Sequence, residues 1–480
     1  MGRPENQFPP SAGRSGIVRD GEIIVSVTPA SEDGTQASAW SRFWASVAPI
    51  PANVAPLTGI TAFLYGLLPG IGGSAVTVLS VFSASWCLLY LIVNRGVPRP
   101  ALSRQHRLLM AGFASFALIT LVSGLVRRNP WGGFLRAVND FQFLYSLIPL
   151  AVLARIGPVD VRRPLGRGAA IGAMLSVLVG LLQFTVFDDP MFRPSGGTGN
   201  SALFGQACFV QAFFSMLCFP RETARWRGIC LTGCVCGLVA IVLSGSRASA
   251  LAASVCLMVL VGYFLAAGER AILRRGLAFV LAGLIGLTVS YPLWKNSEPA
   301  ARFGNLVQRL NVSRRSEKAV ESIDTRFIQI RAATLAVWRR PWLGYGMQHR
   351  MEAARKLEPP ENASVFQYTH IHFLYLDYAT GNGVIGLAAL FVVLGLPTLV
   401  AFPRRSPGST ERIYGGLILS CGFATLGLAG ACIGMDIGNT MFACFTTFLA
   451  MPGDAAALAA ARPVDTPELA APQVEIRRAA

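Results

Sequence analysis

The side chains best suited to chemistry lie in one polar segment between apolar runs, residues 295–371, and at the start of the run that follows. Three of the four histidines of the chain lie there: His349, His370 and His372. A histidine has a pKa near neutrality, so its ring can take a proton from a hydroxyl group. The segment also carries Arg326 and Arg331, and a guanidinium group can donate two parallel hydrogen bonds to a phosphate. These residue types favour a site that binds a pyrophosphate or another polyanion beside a general base. The alternative is that the arginines are solvated or contact anionic lipid headgroups.

A further arginine, Arg247, lies in a very short turn between two long apolar runs, Leu243-Ser244-Gly245-Ser246-Arg247-Ala248-Ser249. A charged side chain held close to hydrocarbon is costly unless it has a partner. The partner can be an anionic substrate or a structural group, and the turn alone favours neither.

The histidines do not form a recognisable metal site. A zinc ion takes about four ligands, or three and a water molecule. The nearest carboxylates in sequence are those of Glu352, Glu358, Glu361 and Asp377. The ten cysteines all lie in apolar runs, where cysteine behaves as a small hydrophobic residue, so neither disulfides nor thiolate ligands are expected. We therefore expect a single histidine, rather than zinc, to act on a substrate. A histidine at the membrane interface without a chemical role remains the other interpretation.

The elements that must position these residues are apolar helices. The chain has 480 residues, of which 53% are hydrophobic and 14% charged, and its mean hydropathy is +0.50. Soluble domains carry about 25% charged residues. Apolar runs of about 20 residues match the thickness of a bilayer core, whereas an outer-membrane barrel needs short alternating segments. The composition therefore predicts an all-α, polytopic membrane protein.

Twelve apolar runs are predicted to span the membrane. They lie near 55–71, 74–93, 108–126, 138–155, 168–187, 202–220, 228–245, 249–267, 276–294, 383–402, 412–431 and 435–452. The 42 basic residues are almost all arginine, and they concentrate in alternate loops, such as those with Arg104, Arg162 and Arg404. Cytoplasmic loops of membrane proteins collect such charges, so the net charge of +17 does not predict a nucleic-acid partner.

The arginine bias and the apolar runs divide the chain into five parts. These are a disordered cytoplasmic tail (1–53), spans 1–9 (54–294), one large extracytoplasmic loop with amphipathic helices (295–371), spans 10–12 (372–452) and a second cytoplasmic tail (453–480). The first tail lacks the apolar core of a signal peptide. In the large loop, a helix is expected to start near Ser322 or Asp324 and to stop at Pro341, and Trp342 suits the membrane interface.

Three motifs resemble those of the O-antigen ligase and O-antigen/exopolysaccharide polymerase superfamily, in matching order over roughly residues 190–400. The first is the turn Ser246-Arg247. The second is Arg326 upstream of Pro341-Trp342-Leu343-Gly344-Tyr345-Gly346. The third is His372-Phe373-Leu374-Tyr375-Leu376 before Gly383-Val384-Ile385-Gly386-Leu387. The family commonly has Asn where this chain has Phe373.

The resemblance implies a metal-independent glycosyltransferase without a cofactor, whose donor is a glycan on undecaprenyl pyrophosphate. Arg247 and Arg326, together with Arg331, would bind the pyrophosphate and stabilise its charge as it leaves. His372 would orient or deprotonate the acceptor hydroxyl. Secondary candidates for the site are Arg136, His370 and Tyr375. The implied location is the inner membrane, with both termini in the cytoplasm and the active site facing the periplasm.

Two forms of this enzyme fit the motifs, and a third function class stays open. A polymerase joins one lipid-linked glycan to another, and this is the form that we expect. A ligase transfers the finished glycan to lipid A–core or another acceptor. Membrane lipids and other polysaccharide assembly proteins are the further expected partners. A small-solute transporter is the third possibility, although the predicted spans hold almost none of the mid-span charges that ion-coupled carriers use.

Overall fold

The computed structural model describes residues 55–93, 102–126, 142–153, 160–186, 193–271, 274, 317–402 and 409–451. Over these ranges the chain forms helices joined by short turns and contains no strand, which confirms the predicted all-α class. The α-helices are α1 (Ala55–Gly72), α2 (Ala75–Val93), α3 (Arg104–Val126), α4 (Leu147–Leu153), α5 (Arg162–Val186), α6 (Ser201–Phe214), α7 (Ala224–Ser244), α8 (Arg247–Ala266), α9 (Glu317–Arg339), α10 (Arg350–Arg355), α11 (Leu374–Ala401), α12 (Ser409–Gly427) and α13 (Asp436–Leu449). Short 3-10 helices cover Gly196–Thr198, Phe219–Arg221 and Pro360–Phe366.

Helices α2, α3, α5, α7, α8 and α11 are long and apolar enough to cross a membrane. Shorter apolar helices cover Thr58–Gly72, Gln142–Val152 and Ser201–Phe214. Large apolar side chains on the long helices are exposed, for example Phe82 (70%) and Met258 (75%), as expected where lipid is the solvent. The chain is therefore a membrane protein. The count of twelve spans stays a prediction, and the run predicted near 276–294 lies outside the described residues.

Helix α6 lies at the centre of the bundle and contacts α1, α5, α7, α8, α12 and α13. Every residue from Leu203 to Phe214 is buried. Two glutamines are buried in this stretch, and one of them, Gln211, donates hydrogen bonds to the carbonyls of Gly66 (3.1 Å) and Leu67 (2.9 Å). Because the buried amide is satisfied, the apolar helices can pack closely around it.

Helix α11 differs from the predicted tenth span. The sequence predicts a start at residue 383, after the break at Gly381-Asn382-Gly383, but the helix begins at Leu374 and passes through this tripeptide with a kink. Gly383 has φ +69° and ψ −167°, a conformation that favours glycine. The predicted break is therefore a kink within one long helix.

The kink is held by the turn between α9 and α10. Peptide groups freed inside an apolar helix must find other partners, and here the turn Pro341–Gly346 supplies them. The backbone hydrogen bonds are Tyr345 N to Thr380 O (2.9 Å), Gly346 N to Gly381 O (2.7 Å) and Val384 N to Pro341 O (2.7 Å). The Ser123 hydroxyl of α3 donates to Leu343 O (3.2 Å) and to Gly381 O (3.3 Å). The turn is thus fixed to the end of α3 and to the kink of α11.

The described part of the polar segment has a small hydrophobic core of its own. The buried members are Ala332, Ala333, Met351, Ala354, Phe366 and Ile371. Phe373 and Leu376, at the start of α11, pack against this core. We call residues 317–373 the cap. Its core places the His370–His372 segment between α9 and the first turn of α11.

Candidate active site

The Ser246-Arg247 turn is a tight joint between α7 and α8. Gly245 ends α7 with φ +62°, and the Ser246 hydroxyl caps α8 by accepting from the Ser249 amide. A Cβ atom at Gly205 of α6 would lie 2.7 Å from the Ser244 hydroxyl and 2.8 Å from the Cβ of Ser246, so the turn packs directly on the central helix. Arg247 is the first residue of α8 and is exposed. Its guanidinium group therefore projects from a rigid base.

Arg193, which the sequence did not single out, holds the same turn. Its Nε donates a hydrogen bond of 2.9 Å to the carbonyl of Ser244, at the carboxyl end of α7. Its Nε would be 3.0 Å from a Cβ atom at Gly245. A cation at a helix carboxyl end is stabilising, because the last carbonyls carry partial negative charge. Arg193 is therefore a positioning residue for Arg247.

Arg326 of α9 lies near Arg247, although many residues separate them in sequence. The protein surface removes part of the hydration of the Arg326 side chain, and the positive charge of Arg247 acts on it; both effects lower its pKa. The two guanidinium groups are therefore close enough to repel each other. An anion bound between them would relieve that repulsion, and the amino end of α8 favours negative charge in the same place.

His372 is half-buried and lies close enough to Arg326 for the charge of that arginine to act on it. Its backbone amide donates to the side chain of Gln329 (3.2 Å), and Gln329 in turn donates to the Val365 carbonyl (2.9 Å). The rings of Tyr368 and His370 each lie 4.9 Å from the His372 ring, centroid to centroid. Loss of water, His370 and the charge of Arg326 lower the pKa of His372 to about 4, against a smaller opposite effect of Asp377. The ring is thus neutral at pH 7 and can accept a proton.

A buried ion pair fixes the backbone of this histidine segment. Asp377 is 2% exposed, and one of its oxygens accepts from Arg350 Nε (2.5 Å) and from the backbone amide of Ile371 (2.8 Å). A buried carboxylate is stable only when paired and hydrogen-bonded. The sequence gives a signal for Asp377, because it is an acidic residue at the start of an apolar run. Its partner Arg350 is not identifiable from spacing.

The other predicted residues lie elsewhere or have other partners. Both side-chain nitrogens Nε and Nη2 of Arg331 donate to the carboxylate of Glu358, the Nε bond being 2.9 Å. The Tyr375 hydroxyl donates to the Ala424 carbonyl of α12 (2.7 Å). His349 precedes α10, with its ring 3.4 Å from Glu352. Arg136 lies outside the described residues.

His370 is a neighbour of His372 with a different environment. Its ring is within hydrogen-bond distance of the Thr369 hydroxyl (3.2 Å). Burial lowers its pKa, with opposing effects of Asp377, which raises it, and Arg350, which lowers it. Among the residues that the structure describes, no three His, Cys, Asp or Glu side chains are grouped closely enough to hold a metal ion. The arrangement combines two cationic groups with a neutral imidazole, which suits transfer from an anionic leaving group.

Comparison with known proteins identifies a family match for part of the chain. No curated protein matches the chain. A family model described as O-antigen ligase matches residues 232–391, about a third of the chain. This segment contains Arg247 at the start of α8, Arg326 in α9 and His372 just before α11. This match supports the O-antigen ligase and polymerase superfamily that the three motifs predict.

Proposed function

We propose that this protein is a metal-independent membrane glycosyltransferase that transfers a glycan from undecaprenyl pyrophosphate to a sugar hydroxyl group, as a polysaccharide polymerase. The alternative is a ligase whose acceptor is lipid A–core or another glycan carrier. The observation that supports the proposal is the electrostatic effect of Arg247 on Arg326 and of Arg326 on His372, because these three side chains belong to three separate motifs. The site would face the periplasm, on the inner membrane.

In this proposal the two arginines bind the donor pyrophosphate. A guanidinium group stays charged at any physiological pH and fits two phosphate oxygens at once. Because Arg331 pairs with the Glu358 carboxylate, the proposal gives it no part in binding the pyrophosphate. The binding of the leaving group thus rests on Arg247 and Arg326, with the amino end of α8 adding its partial positive charge.

The reaction is a direct displacement at the anomeric carbon of the donor sugar. The acceptor hydroxyl oxygen forms the new glycosidic bond to that carbon while the bond from the carbon to the phosphate oxygen breaks. The electron pair of the broken bond leaves with undecaprenyl pyrophosphate, whose charge the arginines stabilise. The hydroxyl proton passes to His372. The products are the extended glycan and the free lipid pyrophosphate.

The low pKa of His372 fits this order of events. Burial, His370 and the charge of Arg326 together outweigh the opposite effect of Asp377 and lower the pKa of the ring, so it is a weak base. A bound pyrophosphate would offset the positive field and raise the pKa of the ring toward neutrality, where general bases work best. The base would then be strongest when the donor is in place. His370 and Tyr368 would hold the ring in orientation.

Transfer by the purified protein in proteoliposomes tests the proposal, with lipid-linked glycan as donor and product size as the readout. His372→Ala and Arg326→Ala should abolish or strongly reduce transfer. His349→Gln is the matched control, because this histidine lies beside Glu352, at the start of α10, and should keep the rate of the unmodified protein. Full activity of both site variants would contradict the proposal.

The glycans of a deletion strain separate the polymerase from the ligase. A polymerase is supported if long chains disappear while single repeats still reach their acceptor. A ligase is supported if full-length chains accumulate on the lipid carrier. A normal glycan profile in the deletion strain would contradict both forms.

A further inference from the structure

Helix α9 has one buried face and, opposite it, an exposed apolar face. The buried residues are Gln329, Ala332, Ala333 and Ala336, all 0% exposed. The apolar face carries Phe327 (67% exposed), Leu335 (46%) and Trp338 (79%), and Trp342 just beyond the helix is 71% exposed. Side chains of this size are rarely left in water together, so such a face marks a contact surface. We call these four residues the outward face of α9.

A charged residue beside the outward face, Arg331, does not prevent an apolar contact. Arg331 lies on the same side of the helix by its spacing from Phe327 and Trp338. Its guanidinium group is paired with the carboxylate of Glu358, so the pair carries no net charge. The long stem of the arginine can add to the apolar surface while its head stays at the polar edge.

The carboxyl end of α9 is fixed beside the end of α3 and the kink of α11. The Val384 amide bonds the Pro341 carbonyl at 2.7 Å, and the Ser123 hydroxyl, near the end of α3, bonds the Leu343 carbonyl at 3.2 Å. On α11, Val384 (45%) and Ile385 (42%) are exposed on the lipid side of a helix long enough to span the membrane. The outward face is therefore continuous with a surface that contacts lipid.

Positive charges border the face at this level. Arg339 and Arg340 are exposed and directly follow Trp338. The Arg340 guanidinium lies 4.8 Å from the centre of the Tyr345 ring. Tryptophan and tyrosine rings are enriched at the membrane–water interface, and arginines beside them bind lipid phosphates. The apolar residues and the adjacent charges are thus complementary to a phospholipid surface.

We propose that α9 is an in-plane membrane helix, whose outward face inserts into the headgroup region at this end of the spans, with Arg339 and Arg340 among the lipid phosphates. The contact sets the depth of the cap in the membrane. A second consequence rests on the proposed function: Arg326, on the flank of the same helix, meets the pyrophosphate of a lipid-anchored donor at headgroup depth.

Photocrosslinking of the full-length protein in phospholipid vesicles tests the lipid contact. Vesicles of phosphatidylethanolamine and phosphatidylglycerol serve as the probe, and benzoylphenylalanine replaces Trp338 or Trp342 in separate samples. A control sample carries the same crosslinker in place of Ala363, an exposed residue of the cap. Mass spectrometry should find phospholipid attached at positions 338 and 342 and none at position 363. Attachment to a second copy of the chain or to no lipid at all would overturn the proposal. This result does not depend on enzymatic activity.

The depth-setting consequence has its own test. Trp338→Asp should reduce the transfer rate several-fold for a donor with a full-length lipid, and leave transfer from a short-chain, water-soluble donor analogue unchanged. Equal loss on both donors would refute the depth-setting role. If the unmodified protein transfers from neither donor, the proposed function fails while the lipid contact is still decided by the crosslinks.

Discussion

The backbone amide of Val384 donates a hydrogen bond of 2.7 Å to the carbonyl of Pro341. This bond joins the turn that follows α9 to the kink of α11, two segments that appear in the sequence as separate motifs. Arg326 precedes the first motif and His372 precedes the second. The bond therefore fixes the relative position of the two helices that carry these side chains, and with it the distance across the candidate site.

Gly383→Ala should destabilise this joint. A Cβ atom at residue 383 would lie 2.1 Å from the carbonyl oxygen of Trp342, and the left-handed conformation alone costs other residues about 1–2 kcal/mol. We expect a lower thermal midpoint and a loss of transfer activity. Gly228→Ala is the control, because nothing lies within 4 Å of its added Cβ atom. Equal thermal midpoints for the two variants would show that the kink does not need glycine.

Arg326 and Arg331 lie on one helix but should respond differently to substitution. Loss of a charge-assisted contact costs about 1.5–3 kcal/mol, so Arg326→Ala should cut the transfer rate at least about tenfold. Arg326→Lys should restore it only in part, since lysine lacks the planar fork. Arg331→Gln should lower stability by removing the ion-pair partner of the Glu358 carboxylate, and keep the transfer rate per folded molecule. The assignment is wrong if both variants lose the same fraction of that rate.

The pH profile of transfer should report the pKa of His372. Protonation at low pH removes its ability to accept a proton. Because the pKa is lowered to about 4, kcat/KM should persist below the usual histidine range near about 6.5 before it falls. The charge of Arg326 contributes to this lowering, so Arg326→Gln should move the acid limb of the residual activity to higher pH. A limb that stays in place or moves to lower pH would contradict the coupling.

Arg193→Gln should act through Arg247 rather than on the chemical step. Losing the bond from Nε to the Ser244 carbonyl loosens the Gly245-Ser246 turn. We expect the KM for the donor to rise more than kcat falls, with partial rescue in Arg193→Lys, which keeps the charge at the end of α7. Arg225→Gln, at an exposed position near the start of the same helix, provides the control. An unchanged KM for Arg193→Gln would remove its positioning role.

The sequence by itself determined the features that depend on local composition. Hydropathy sums over neighbouring residues, so the apolar runs predicted membrane helices such as α5, α7 and α8 correctly. Short motifs with fixed spacing identified Arg247, Arg326 and His372 as candidates, because the arginine in a tight turn and the histidine before an aromatic run are visible in the residue order. Their joint placement, however, was an expectation drawn from a resemblance.

Only the tertiary structure decided which polar groups meet. Arg331 has the residue type of a phosphate ligand, yet Glu358 neutralises it. The pair Arg350–Asp377 and the bond from Arg193 to Ser244 join residues whose separation in sequence gives no sign of contact. The start of α11 depends on the same effect: a distant turn satisfies the peptide groups freed at the Gly383 kink, so the helix begins at Leu374, before the start at residue 383 that the local pattern predicts. Hydrogen-bond partners inside an apolar bundle are chosen by proximity in space, which local sequence does not encode.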